Sequence, residues 1–445
     1  MASNTKLIHN GVVVNELTQF NGYITLDGDT ITAVEKGEPS QQIIDLANTV
    51  IDAHGAFIMP GAIDDQVHFR EPGLTDKASI ATESKAAIAG GVTSFMEMPN
   101  TTPATTNMDA LANKIEIAEN TSYANYSFYL GATNNNADVV AQIDPKTIPG
   151  VKIFMGSSTG NMLVDRQKAL EQIFAESPVL IATHCEEESI IQENLKQAYA
   201  KLGDEIPFEM HPVIRSNEAC VRSTDKAISL AIKYSARLNV LHISTKEECT
   251  MFGNTLPLAD KKITAEVCAH HLWFESADYT TMKGKVKCNP AVKTKADRDA
   301  LREALACGKL DILATDHAPH LLEQKLEKYT TCPSGLPLVQ HSLPMMMEMY
   351  TPEQVVQFMA HNPAIGYKVD KRGFLKVGYK ADIVIVENKE WAVTKSNILY
   401  KCGWSPLEGH NFKFKVAYTI LNGEVVYQNG VVSENRNAQQ LRFDR

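Results

Sequence analysis

Eight short apolar runs recur along the middle of the chain, and they constrain the fold more than any other feature. They are AFIMPGAIDDQVH, GGVTSFMEMPN, YANYSFYLGAT, GVKIFMG, PVLIATHCE, LNVLHIS, KITAEVCAHH and DILATDHAPH. Between them lie stretches such as DKASIATESKAAIAG, DRQKALEQIFAES and KADRDALREALACGK, whose apolar positions recur at helical spacing. A strand that is apolar throughout has both faces covered, which is the habit of a parallel sheet packed under helices. Eight such strand and helix units, over residues 57–365, predict an α/β fold closed as a (β/α)8 TIM barrel. An open doubly wound sheet is the alternative.

The flanks read differently. KLIHNGVVV, GYITLDGDTITAV and NTVIDAHGA, within residues 1–56, alternate apolar and polar positions around Asn-Gly and Asp-Gly pairs. This predicts short strands joined by tight turns. From about 366 the pattern returns in ADIVIVE and VAYTILNGEVVYQNGVV. The simplest assembly joins 1–56 and 366–445 into one small β-sandwich beside the barrel. The polar tail ENRNAQQLRFDR is expected to fray.

Composition narrows the function classes. At 445 residues, 44% hydrophobic and 22% charged, the chain reads as a water-soluble globular protein. No stretch approaches the ~18 uninterrupted apolar residues of a membrane span, and the start MASNTKLIHNG lacks a signal-peptide pattern, so a cytoplasmic location is expected. A net charge of -10 argues against a nucleic-acid surface; an anionic substrate would need cations supplied locally. Eight cysteines without a C-x-x-C pair suggest reduced thiols, with neither a zinc ribbon nor a disulfide framework.

A barrel places its chemistry at the C-terminal ends of its strands. There the runs carry unusual polar residues: Gln66 and His68, Asn100, Lys152, His184, His242 and Asp316. A lone histidine at a strand end is more often an ordinary packed residue, and His9, His54, His211, His361 and His410 are read that way. Imidazoles and a carboxylate on different strand ends are, however, the donors of a catalytic zinc. Lys152, inside VKIFM, is disfavoured as an ammonium by burial. It is either paired with a carboxylate such as Asp316, or a neutral amine able to add carbon dioxide and become an anionic carbamate. The stretch DDQVHFREPG poses a question of its own, because Gln66 stands where a His-x-His metal pair would have its first imidazole.

QVHFREPGLTDK, GGVTSFMEMPNTTP, GVKIFMG, THCE, LHIS, KCNPAVKTKADRDAL, ILATDHAPH and KADIVIVE, in this order, resemble the dihydroorotases of the amidohydrolase superfamily over nearly the whole chain. The resemblance implies that Lys152 is the carboxylated lysine, that His184 and His242 hold the more buried metal, and that Asp316 is both metal ligand and proton carrier. Gln66 and His68 fall on the family's strand-1 pair, so one imidazole is missing. One firmly held Zn2+ and a second, weaker one are therefore expected. Arg70, Asn100 and His320 resemble the binders of the substrate carboxylate, and Asn289 and Gly335 fall near its ring. The implied activity is reversible hydrolysis of (S)-dihydroorotate to N-carbamoyl-L-aspartate in pyrimidine biosynthesis, with a small-molecule substrate, no nucleic-acid or membrane partner, and a homodimer by analogy.

Two other readings remain. An allantoinase or hydantoinase is one, against which stand Arg70 and the absence of a tyrosine in IFMGS after Lys152. A catalytically silent dihydroorotase-like partner protein is the other, favoured by Gln66 alone. The stretch from 320 to 335 is expected to act as a lid, and MMMEM at 345–349 to be core helix.

Overall fold

A computed structural model describes residues 5–156 and 162–445. All eight apolar runs form strands, and every pairing among them is parallel. Ala62–Val67, Val92–Glu97 and Asn125–Phe128 make a three-stranded sheet. Leu130–Gly131, Gly150–Phe154, Leu180–His184, Leu238–Val240, Ile263–Cys268 and Ile312–Ala314 make a six-stranded one, again in chain order. The two sheets meet at both ends. One run supplies Asn125–Phe128 to the first and Leu130–Gly131 to the second, and a parallel bridge joins Val67 to His317 beyond the eighth run. Leu180–His184 is buried at every position, as a strand with both faces covered must be.

The intervening stretches are helical where their periodicity says so. Ile80–Ala89 starts at a capping box built on Ser79, and Lys295–Ala306 at one built on Thr294. Each box satisfies N–H groups that the first turn leaves without intrahelical partners. Met345, Met346 and Met347 are buried in the helix Ser342–Met347, so the methionine cluster is core. No helix among the described residues is long and apolar enough to cross a membrane.

Both ends of the chain enter one nine-stranded sheet. Its seam is Phe57–Pro60, which pairs parallel with Thr5–Asn15 and antiparallel with Ile383–Ala392. The first apolar run is thus two strands: Phe57–Pro60 joins the terminal sheet, and Ala62–Val67 the parallel one.

Two expectations are corrected. Asn10-Gly11 is not a turn but lies inside the strand Thr5–Asn15, which pairs with Thr18–Asp27. At this pair the register slips between Ile8 and Gly11, Asn10 takes φ 55°, and a Cβ on Gly11 would come within 2.7 Å of the Ile58 side chain. The glycine serves a bulge and a close approach there. The turn joining these strands is Glu16-Leu17, both residues at positive φ, with no glycine to announce it. The tail does not fray either. Leu441 and Phe443 are buried, Leu441 N–H donates to Tyr126 O, and Arg445 Nη2 donates to Tyr367 O at 2.8 Å.

Leu441→Ala should therefore destabilise the protein by about 2–5 kcal/mol in denaturant unfolding. An unchanged midpoint would mean that the tail adds nothing to the core.

Candidate active site

The residues singled out at the strand ends line one cavity of about 180 Å3. Gln66, His68, Lys152, His184, His242 and Asp316 supply its floor, while Arg70, Asn100, Asn289, His320 and Gly335 border the same space. Three of them, Arg70, His242 and Asp316, hold positive φ, at 69°, 41° and 46°. Non-glycine residues adopt that conformation at a cost, and such positions cluster at functional sites. His68 is levelled with the eighth strand end by its N–H, which donates to His317 O at 2.7 Å.

The floor divides into a trio and a pair. In the trio, Asp316 Oδ1 accepts from His68 Nε2 and from Gln66 Nε2, each at 3.1 Å. Burial pushes the Asp316 carboxyl up, but the hydrogen bond and charge of His68 outweigh it and hold the group below the usual range. Asp316 is therefore a carboxylate. As placed, Gln66 turns Nε2 to Asp316 and Oε1 toward Cys268, 4.0 Å from its sulfur.

In the pair, His184 Nδ1 and His242 Nε2 face each other at 3.0 Å. His184 Nε2 lies 2.9 Å from Glu186 Oε2; a carboxylate can only accept, so that nitrogen carries the proton and Nδ1 offers a lone pair. Either a proton or a cation must then lie between the two rings. Two nitrogens bound to one tetrahedral zinc at 2.0–2.1 Å stand about 3.3 Å apart, so the pair fits an ion. His242 Nδ1 has no partner among the described residues.

Lys152 lies between these two groups on Gly150–Phe154, buried, its Nζ 4.8 Å above the Phe154 ring. Burial pushes its amine down to about 8, against the pull of Asp316 and Glu266. Among the described residues Lys152 forms no salt bridge, and Asp316 is engaged by His68 and Gln66 instead. An amine so placed is neutral often enough to react with carbon dioxide.

Arg70 is buried and has no carboxylate partner among the described residues. Its Nε donates to Pro319 O, and neighbouring Glu71 accepts from Ile80 N instead. His320 Nε2 lies 3.0 Å from Ser334 O, to which it must donate; Arg70 Nη2, 3.1 Å from the same nitrogen, then has no acceptor there. The guanidinium faces the cavity uncompensated. Asn289 Oδ1 also lacks a partner among the described residues. Gly335, at φ 140°, is obligatory, since a Cβ would sit 2.4 Å from Ala318 O.

The match of the amidohydrolase family pattern to residues 57–426 covers most of the chain. The chain belongs to the amidohydrolase family. As a member it is a hydrolase. A dihydroorotase of Methanosarcina acetivorans is 32% identical over 401 residues, 86% of this chain and 84% of that protein. An allantoinase of Bacillus velezensis is 30% identical over 399 residues, 86% of each. An L-hydantoinase structure from Arthrobacter aurescens superposes with TM-score 0.90 at 24% identity, covering 98% of this chain and 99% of that one, which shows a shared fold.

Several residues at the site were not singled out from the sequence. Glu186 follows His184 in THCE, and its Oε2 also accepts from Arg215 Nη1. Burial alone would raise its carboxyl, but Arg215 and His184 bring it down to about 2. The THC-Glu spacing was a usable signal for Glu186; nothing marked Arg215, which lies outside the strand ends. Lys287, just past the turn Lys283–Val286, and Lys325, in the short helix Leu322–Lys325, are both buried near the cavity. Lys287 Nζ donates to Tyr329 O and Cys332 O, and Lys325 Nζ to Lys287 O and Pro333 O. The stretch expected to be a lid is tethered by these bonds, with Tyr329 and Cys332 also buried. Of the IFMGS stretch, Ser157 lies outside the described residues.

Glu186→Ala removes the acceptor that fixes the His184 tautomer, so affinity for a divalent metal ion should fall about 10–100-fold. Competitive chelator titration checks this, and an unchanged affinity would detach Glu186 from the metal.

Proposed function

We propose that this chain is a zinc-dependent dihydroorotase, hydrolysing the cyclic amide of (S)-dihydroorotate to N-carbamoyl-L-aspartate and running the reverse closure in pyrimidine biosynthesis. The uncompensated Arg70 guanidinium beside the metal-binding floor carries this reading. A carboxylate-bearing ring satisfies it, whereas hydantoin and allantoin carry no carboxylate to offer. The identities to dihydroorotases support the choice, and the preserved donor set speaks against a silent relative.

His184, His242 and the Lys152 carbamate would hold one divalent ion firmly, and His68, Asp316 and the carbamate a weaker one, with Gln66 the weakest donor. Such an ion acidifies water from ~15.7 toward ~7 and polarises the carbonyl it touches. The residues of the chain do the rest. Arg70 pairs with the substrate carboxylate and fixes the ring, with Asn100 and His320 beside it. Asn289 Oδ1 is placed to accept from a ring N–H. Asp316 takes a proton from the water that adds to the ring carbonyl carbon and delivers it to the ring nitrogen as the C–N bond breaks. The shared run at 125–131 and the bridge from Val67 to His317 support closure of the two parallel sheets into one (β/α)8 barrel over about 57–365, beside a terminal β-sandwich unit from 1–56 and 366–445.

Purified protein should turn over dihydroorotate far faster than hydantoin or allantoin, and the reverse ranking would overturn the substrate assignment. Asp316→Asn should lose at least about a hundredfold in kcat while still binding substrate, measured by turnover alongside equilibrium binding. The mass increment of one carbon dioxide on Lys152 should grow as pH rises through about 8, because only the neutral amine reacts. Native mass spectrometry with Lys152→Arg as control reads it, and an unmodified lysine at all pH values would rule the carbamate out.

A further inference from the structure

We propose a second cation site formed by Cys268, His270 and His271, suited to a soft divalent ion such as Zn2+ and distinct from the set on the cavity floor. The strand Ile263–Cys268 turns directly into the helix Ala269–Trp273, so Cys-Ala-His-His occupies one tight corner. One donor atom from each of the three lies within 4.8 Å of the other two, and all three residues are buried. Donors around a tetrahedral zinc stand about 3.3–3.7 Å apart, so side-chain rotations closing about 1 Å complete the set.

The second observation is a group of poorly satisfied nitrogens. Among the described residues the ring nitrogens of His270 and Nδ1 of His271 make no hydrogen bond of good geometry, His270 having no more than a weak contact with the Thr315 backbone. Buried polar atoms are nearly always satisfied, and three such nitrogens in adjacent residues call for a common partner. His271 Nε2, 3.0 Å from Pro290 O, must donate to that carbonyl, which leaves the lone pair on Nδ1. The Cys268 thiol points at Glu266 Oε1 at 3.5 Å and at Gln66 Oε1 at 4.0 Å. On binding a cation the thiol releases its proton to solvent and becomes a thiolate ligand.

The inference stands apart from the substrate assignment, because its test uses no substrate. The floor donors contain no sulfur, so sulfur bonded to metal reports on this corner. Full-length protein, stripped with chelator and loaded with Co2+, should show a near-ultraviolet thiolate-to-cobalt charge-transfer band. Cys268→Ser should abolish the band and lower bound metal by one equivalent per chain, whereas Cys288→Ser should keep both. Should Cys268→Ser not fold, zinc X-ray absorption of the unaltered protein decides: a sulfur neighbour at ~2.3 Å is expected. A cobalt spectrum without the band, a band that survives Cys268→Ser, or a zinc shell of nitrogen and oxygen alone would overturn the proposal.

Discussion

Parallel pairing at a common level is the constraint on which the candidate site depends. Phe154 lies opposite His184, Thr183 opposite Val240, and Cys268 opposite Ala314. Because neighbouring strands end level, residues one or two positions beyond each end fall on a single rim, however far apart they are in the chain. Burial of both strand faces demands apolar side chains along their length. Some of the polar residues that break this rule near the rim face one another as pairs. Glu97 is held by Lys114 at 3.1 Å with both groups fully buried, and Lys114 also donates to Met98 O. Asp65 and Glu266 are both pushed upward, by burial and, for Glu266, by the neighbouring Asp65 charge; a proton shared between them relieves the repulsion.

Charge is organised against the overall sign of the molecule. The chain carries -10, yet Arg70, Lys287 and Lys325 are buried beside the cavity without a carboxylate partner among the described residues. Burial brings Lys287 down to about 8 and Lys325 to about 7, so both are poised between charged and neutral. A mouth of this kind favours an anion, and buried cations act over a longer range than surface ones because water screens them less.

Much of this was legible in the sequence. The eight apolar runs located the parallel strands, because a strand covered on both faces leaves a continuous apolar signature. The polar strand ends were legible for the complementary reason: a histidine, lysine or aspartate closing such a run is conspicuous. Residues acting from outside the strands were not. Arg215 and Lys325 sit in segments without periodicity, and only the folded chain brings them to Glu186 and to the loop carbonyls. Local chemistry misled where tertiary packing overrode it. Asn10-Gly11 has the composition of a turn, but the Ile58 side chain packed against Gly11 makes it a bulge. Leu441 and Phe443, diluted among polar neighbours, gave no pattern by which docking could be foreseen.

The tethering of the loop beside the cavity separates its shape from its own sequence. Lys287 and Lys325 grip main-chain carbonyls at Tyr329, Cys332 and Pro333, groups that every residue type possesses. Glu327, Lys328, Thr330 and Thr331 are exposed. These outward positions are free to vary, in evolution or by design, while the two ammonium anchors keep the inner surface at Ser334 and Gly335 in place. Surface properties of this enzyme can thus be retuned beside its cavity without redrawing the wall that a substrate meets.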